Sequence, residues 1–196
     1  MVQTLYYVTS NAGKFEEVEQ CIRAHELPIT LLRFDADIEE IQTMNQEEIA
    51  IDKALKAWTL LKKPLLVDDS GIYFEKYHEF PGVMSKYISH GIGMAGIMKL
   101  IEPGDRAYFR LHLVFVDTEG IPHSFEGLCK GYLVIPAVLQ AHADLPYDDI
   151  FVPDELAGEP QTYAQLRGTS QFEQFSYRLR ALNKFLTWMA EQGKKK

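Results

Sequence analysis

A chain of 196 residues that is 46% hydrophobic, 12% aromatic and 24% charged holds enough apolar side chains to fold around a core without disulfide or metal staples, which excludes disorder for its bulk. Twenty Lys and Arg against 28 Asp and Glu leave a formal charge of −8, a balance that opposes a broad nucleic-acid or anionic-membrane surface. It leaves room for a small phosphorylated ligand held by a local basic cluster or through a metal.

Gln3–Thr9 is a β-rich run that ends in the turn cluster Ser10-Asn11-Ala12-Gly13. Lys14–Ala24 places Phe15, Val18, Cys21 and Ile22 on one helical face, with Ser10 or Asn11 as the cap. Ile29–Phe34 reads as a second strand, followed by the acidic loop Asp35–Glu40. Asn45–Leu61 is a second helix, closed by Lys62-Lys63-Pro64, and Leu65-Leu66-Val67 is a short apolar strand running into a turn at Asp68-Asp69-Ser70-Gly71. Phe80-Pro81-Gly82 reads as a turn and Met94–Ile101 as a modest helix. Tyr108–Asp117 alternates as a half-buried strand and turns at Thr118-Glu119-Gly120 into a partner over His123–Lys130, with a third strand near Tyr132–Ile135. Ala141–Thr169 is loop-like. Phe175, Leu179, Leu182, Phe185, Leu186 and Met189 form the apolar stripe of a last helix, and Lys194–Lys196 a solvated tail. The order β-α-β-α-β, then a β-rich insert, then a closing helix predicts an α/β fold with a mixed sheet, organised as a single domain over residues 1–196.

Cys21 and Cys129 form neither a disulfide framework nor a zinc pattern and read as reduced thiols of a cytoplasmic protein. The first residues carry no signal-peptide pattern, and no stretch approaches the ~18 apolar residues of a membrane span.

Two constellations carry chemistry. Thr9-Ser10-Asn11-Ala12-Gly13-Lys14 lies at a strand-to-helix turn, where unpaired N–H groups attract an anion and Lys14 adds a full charge. It is not a Walker loop, and a capped helix with a surface lysine is the plainer reading. Asp68-Asp69 ends an apolar strand, where two neighbouring carboxylates repel unless a cation relieves them. A hard cation such as Mg²⁺ takes carboxylate oxygens and bridges them to phosphates. An acidic turn before Gly71 is the plainer reading there. If the strand pattern continues, the two acids face opposite ways and one of them reaches a shared site. Glu39-Glu40 offers a second source of metal ligands, and Lys53 and Lys86 could reach phosphate.

Gly91-Ile92-Gly93-Met94-Ala95-Gly96 is a literal G-x-G-x-x-G, but the polar, poorly alternating Met84–His90 precedes it where a dinucleotide site needs an apolar strand. The histidines show no zinc spacing, and no serine sits in a G-x-S-x-G elbow.

In this order, these pieces resemble the inosine triphosphate pyrophosphatase family, house-cleaning nucleotide hydrolases related to Maf proteins. The family's T-[GS]-N-x-x-K-x-x-E is matched by Thr9–Glu17 and its D-D-S-G by Asp68–Gly71. Pro81-Gly82 follows as its P-G turn, then Phe125-Glu126-Gly127 as its [FH]-x-G element. Leu145–Phe151 echoes F-G-[YW]-D-P-x-F. Thr162–Leu166 echoes T-x-A-E-[LM], and Ser176–Leu182 echoes S-H-R-x-x-A-L. The resemblance implies an elongated mixed sheet flanked by helices in two lobes with a cleft, a homodimer, and Mg²⁺-dependent hydrolysis of nucleoside triphosphates to monophosphate and pyrophosphate. The implied preference is for aberrant purines such as those of inosine and xanthosine triphosphates. It also implies roles. Ser10, Asn11 and Lys14 would grip the triphosphate, with Ser70 and Gly71 beside it and Lys53 and Lys86 neutralising its charge. Glu40 and Asp69 would hold Mg²⁺, supported by Asp68 and Glu17, and Asp69 would polarise the attacking water. Tyr147, Asp148, Ser176 and Arg178 would face the base.

Departures cluster at the base-reading positions. The family's stacking Phe is Leu145, its Gly is Pro146, the Pro after its Asp is Asp149, the His of S-H-R is Tyr177, and a family lysine falls near Phe172, with no basic residue between Arg167 and Arg178. Two readings follow. One is a nucleoside triphosphate pyrophosphatase with an altered base preference. The other is a catalytically weak relative that binds a nucleotide or a protein partner.

Overall fold

The computed structural model describes residues 3–139 and 145–193. The expected tail at Lys194–Lys196 and part of the expected loop over Ala141–Thr169 lie outside the described residues.

Strand β1 (Gln3–Val8) lies parallel to both β2 (Ile29–Phe34) and β3 (Leu65–Phe74). The βαβ crossovers are α1 (Ala12–Ala24) and α2 (Gln46–Leu61). Then follow β4 (Phe80–Gly82), α3 (Ser85–Ile97), β5 (Arg106–Val116), β6 (Pro122–Leu133), β7 (Phe151–Pro153), the one-turn helices α4 (Tyr163–Leu166) and α5 (Phe172–Phe175), and α6 (Tyr177–Gly193). The strands form one mixed sheet in the order β2-β1-β3-β5-β6-β7, with β4 antiparallel to β3 off this path. The expected α/β class with a mixed sheet and flanking helices is what the chain adopts.

Five expectations about elements need correction, the first being the loop-like reading of Ala141–Thr169, within which β7 and α4 fall. Asp68-Asp69-Ser70-Gly71 is not a turn but the middle of the ten-residue β3. The strand persists because Gly71 lets β4 come close: a Cβ there would lie 2.3 Å from the Gly82 carbonyl oxygen. Phe80-Pro81-Gly82 is that short partner strand rather than a plain turn. The helix read at Met94–Ile101 starts at Ser85 instead and bends at Gly93, whose φ of +61° suits glycine. The G-x-G-x-x-G therefore sits inside a bent helix and follows no strand, so the dinucleotide reading falls. His123–Lys130 and Tyr132–Ile135 are not two strands, because β6 runs unbroken over Pro122–Leu133. Gly131 permits it, since a Cβ there would meet the Val152 carbonyl oxygen of β7 at 2.1 Å.

The chain divides into two compact units, with unit 1 comprising Met1–Asp69, Leu111–Gly127 and Arg178–Lys196, and unit 2 Ser70–Arg110 and Leu128–Tyr177. In unit 1, Val8, Leu65, Val67, Val114 and Val116 meet Ala50, Ala54 and Ala57 of α2. The alanines recur at helical spacing and let the helix lie close on the strands. Leu182 and Phe185 of α6 are buried, Phe185 against Phe115 and Phe125. Unit 2 is built on rings: Phe109 stacks on Tyr163 and Tyr177 at 5.4 and 4.8 Å, and Phe151 meets Phe109 edge-on.

Candidate active site and binding pocket

Unit 1 carries a charged cluster. The turn before α1 is shaped by its own side chains: Thr9 Oγ1 accepts from the Asn11 amide at 3.2 Å, and Asn11 Oδ1 caps the helix by accepting from the Lys14 amide at 3.0 Å. Asn11 is therefore the cap, and Ser10 stays exposed beside it. The cap fixes Lys14 in the first turn, and its Nζ donates to Asp68 Oδ1 at 3.3 Å. From the start of α6 comes Arg178, 2% exposed, which donates from Nε to Asp68 Oδ2 at 3.0 Å and from Nη1 to Glu17 Oε2 at 2.8 Å. Asp68 and Glu17 thus hold buried or half-buried positions because cations answer them. Burial alone would raise the Asp68 carboxyl, but Lys14, Arg178 and Lys53 outweigh it and hold the group well below the usual carboxylate range.

Asp69 is treated differently. Burial, helped by the like charge of Glu40, pushes its carboxyl up to about 6, against the pull of Lys53, Lys14 and a hydrogen bond with Gln46. Glu40 accepts from Lys53 Nζ at 2.6 Å. Burial would lower the Lys53 ammonium, but this hydrogen bond and the charge of Glu40 raise it. Lys14 is lowered, chiefly by burial. Consecutive strand residues could have faced unrelated surroundings, yet both acids feel Lys14 and Lys53, so both belong to one electrostatic cluster.

The carboxylates of this cluster are oxygen donors of the kind a hard cation such as Mg²⁺ takes. Among the described residues no three His, Cys, Asp or Glu side chains come together as a ready-made cage. Asp68 and Glu17 are engaged by Arg178 and Lys14, and Glu40 is bonded to Lys53. Asp69 and Glu40 form the pair whose mutual repulsion a hard cation would relieve, and a magnesium ion is commonly held by one or two carboxylates with the rest of its shell left to water and phosphate.

Unit 2 carries a shallow pocket. Ser70 and Gly71 of β3, Ser85, Lys86 and Ser89 of α3, Phe109, Leu145–Asp148 and Tyr177 line it. Pro146–Asp149 form a single 3₁₀ turn, and Tyr147 is buried with its hydroxyl donating to the Ser85 carbonyl at 2.9 Å. Lys86 is exposed on the first turn of α3 and belongs to this pocket, while Lys14 and Lys53 belong to the charged cluster. Of the four residues expected at the base, Tyr147 and Asp148 line the pocket. Ser176 is buried behind α5, and Arg178 is committed to Asp68 and Glu17 in unit 1. Aromatic surface is present despite Leu145, because Phe109 and Tyr177 supply it.

Sequence reasoning missed Gln46, which bonds Asp69, and Tyr7, whose fully buried phenol is pushed far up by burial and by Asp68. It missed Phe109 and Ser85 in the pocket wall. It also overlooked Arg167, whose Nε donates to Asp148 Oδ2 at 2.5 Å. None sits in a motif.

The chain is an α/β protein that joins a capped strand-to-helix turn, a buried acid on β3 and an arginine at the start of its last helix, and it belongs to the Ham1 family, whose model matches residues 5–188. It is 32% identical over 190 residues to a dITP/XTP pyrophosphatase of Saccharolobus solfataricus, covering 96% of this chain and 94% of that protein. It is 35% identical over 162 residues to inosine triphosphate pyrophosphatase 2 of Trypanosoma cruzi, covering 82% and 79%. A solved HAM1 protein of Coxiella burnetii superposes with a TM-score of 0.76 over 96% of this chain and 99% of that one, at 24% identity, a likeness of fold. No described helix is long and apolar enough to cross a membrane.

Proposed function

We propose that this protein is a nucleoside triphosphate pyrophosphatase that releases nucleoside monophosphate and pyrophosphate, acting with Mg²⁺. One observation carries the reading. Two adjacent acids on β3 are driven apart, Asp68 held as a carboxylate by Lys14 and Arg178, and Asp69 held near neutral pH beside Glu40. Splitting two carboxylates in this way assigns them different tasks. The relatives named dITP/XTP and inosine triphosphate pyrophosphatases support the same activity.

Asp69 and Glu40 would hold the cation, which would supply charge neutralisation for the leaving pyrophosphate. Asp69 would also orient and deprotonate the attacking water, a role suited to a carboxyl near pH 6. Lys14 and Lys53 would meet phosphate oxygens, and the first turn of α1 with Ser10 and Asn11 would offer amide donors. Asp68, Glu17 and Arg178 form the support that keeps Lys14 in place. Tyr147, Asp148 and the aromatic wall of unit 2 would take the base, and with Leu145, Pro146 and Tyr177 in that wall the base preference departs from the family's pattern.

The test is pyrophosphate release from a panel of inosine, xanthosine, guanosine, adenosine and pyrimidine triphosphates, with and without Mg²⁺, beside Asp69→Asn. Metal-dependent turnover of at least one substrate, abolished in the variant, is expected. Equal and negligible turnover in both proteins across the panel would overturn the assignment in favour of a binding-only relative.

A further inference from the structure

Gln46 stands outside every motif and is 1% exposed at the first position of α2. Its spacing puts it on the same stripe of the helix as Ala50, Ala54 and Ala57, which pack in one cluster with Val67 of β3. Side chains alternate along a strand, so Asp69 leaves β3 on the side of Val67, toward that stripe. The stripe thus changes from alanine to an amide where the strand changes from valine to an acid, and the Gln46 side chain hydrogen-bonds Asp69 there. A buried amide needs such a partner. The helix start that carries Gln46 is itself pinned. Asn45 Oδ1 accepts from the Glu47 and Glu48 amides at 3.1 and 3.4 Å, and Asn45 Nδ2 donates to Glu48 Oε1 at 3.1 Å. Thr43 Oγ1 accepts from the Asn45 amide at 3.2 Å.

The two acids of β3 are answered in different ways. Asp68 is 4% exposed and bonds two cations, Lys14 and Arg178. Asp69 is half-buried, and the group that bonds it from α2 is a neutral amide. A cation bonded to a carboxylate cancels the charge that would draw a metal ion. An amide N–H fixes the direction of the carboxylate and leaves its charge and its remaining lone pairs in place. We propose that Gln46 is a positioning residue of the charged cluster: its amide orients Asp69 toward the cation and the attacking water without neutralising it. This rests on the pyrophosphatase reading of the preceding section and adds to it the residue that aims its central acid.

The experiment compares wild type with Gln46→Met and Gln46→Leu, which keep a buried side chain of similar size and remove the amide. The kcat for inosine triphosphate with Mg²⁺ is expected to fall by roughly tenfold to a hundredfold with KM within about twofold, the scale at which groups that orient a metal ligand act. The Mn²⁺ affinity of the nucleotide-free protein, read by electron paramagnetic resonance, should weaken by roughly tenfold. Either loss supports the proposal. If kcat and Mn²⁺ affinity both stay within about twofold of wild type, whatever happens to KM or the thermal midpoint, Gln46 is a structural residue and the proposal fails. Should neither variant fold, the side-chain amide signal of Gln46 in ¹⁵N-labelled wild type decides: Mg²⁺ alone should shift it, and an unmoved signal overturns the proposal. Should wild type turn over no triphosphate, the pyrophosphatase reading fails separately. The Mn²⁺ affinities then decide this one: weaker binding by the variants supports it, and equal binding or none overturns it.

Discussion

Unit 1 and unit 2 solve opposite physical problems. The cluster in unit 1 concentrates charge: Lys14, Lys53 and Arg178 face Glu17, Glu40, Asp68 and Asp69, and burial makes each interaction stronger than it would be in water. The pocket in unit 2 concentrates rings and serines, with Lys86 and Asp148 as the charged residues of its lining. A charge cluster acts on any polyphosphate whatever base it carries. A pocket walled by rings, as proposed for the base, would act on the base more than on the phosphates. Changes in unit 1 should therefore affect every substrate together, and changes in unit 2 should affect the ratio between substrates or stability alone.

The sharpest way to break that division is Asp69→Asn, expected to cost about three orders of magnitude in kcat for all triphosphates alike, read by pyrophosphate release. A loss confined to some bases would mean that catalysis and selection are not separated. Next comes Arg178→Ala, which removes one of the two cations bonded to Asp68 and the buried guanidinium that bonds Glu17, and should destabilise the fold by about 3 kcal/mol in denaturant unfolding. A mild effect there would return Arg178 to the ligand-facing role implied by the family resemblance.

The Asp69 carboxyl gives a pH test. Its folded value of about 6 lies above the ordinary 3.8, so the fold binds this proton more tightly than the unfolded chain. The associated stability is present below pH 4 and lost as pH rises through 6, amounting to about 3 kcal/mol at most. Under the proposed function, Mg²⁺ held by Asp69 would have to displace this proton in the same window. Its apparent affinity, titrated by thermal shift without nucleotide, should rise about tenfold per pH unit below 6 and level off above. Asp68 runs the other way: its stabilising contribution is present above the ordinary carboxylate value and is lost only as pH falls well below it.

Smaller effects test unit 2 and the helix ends. Gly71→Ala forces a Cβ onto the Gly82 carbonyl and should cost about 2 kcal/mol through overpacking of the β3–β4 pair, seen in the thermal midpoint. Asn45→Ala removes the cap whose side chain accepts from the Glu47 and Glu48 amides, and should cost about 1 kcal/mol with little change in substrate ratios.

Much of unit 1 was legible in the residues. Strong periodicity, short connections and side-chain caps are local properties, so β1, α1, β2 and α2 fall where the pattern puts them. The pairing of Lys14 with the Asp68 strand was legible only as an expectation from the order of motifs. Unit 2 was less so. Met84–His90 looked irregular because its helix begins without a side-chain cap and bends at Gly93. Asp68–Gly71 looked like a turn because an acid pair with glycine is the usual composition of one. Its extended form depends on β4, a partner eleven residues further on.

By itself the sequence determined the chemistry available: the α/β order, the capped anion-attracting turn, the adjacent acids and the basic residues few enough to count. These follow from properties that neighbouring residues share, such as period, capping and charge. Only the tertiary structure decided how that chemistry is divided. It gave Asp68 two cations and left Asp69 to burial, turned Arg178 from a candidate base reader into a buried clamp, and brought Arg167 to Asp148 across 19 residues of chain. The physical reason is that a carboxyl's behaviour is set by what surrounds it in space, and burial and opposing charge come from segments far away in sequence.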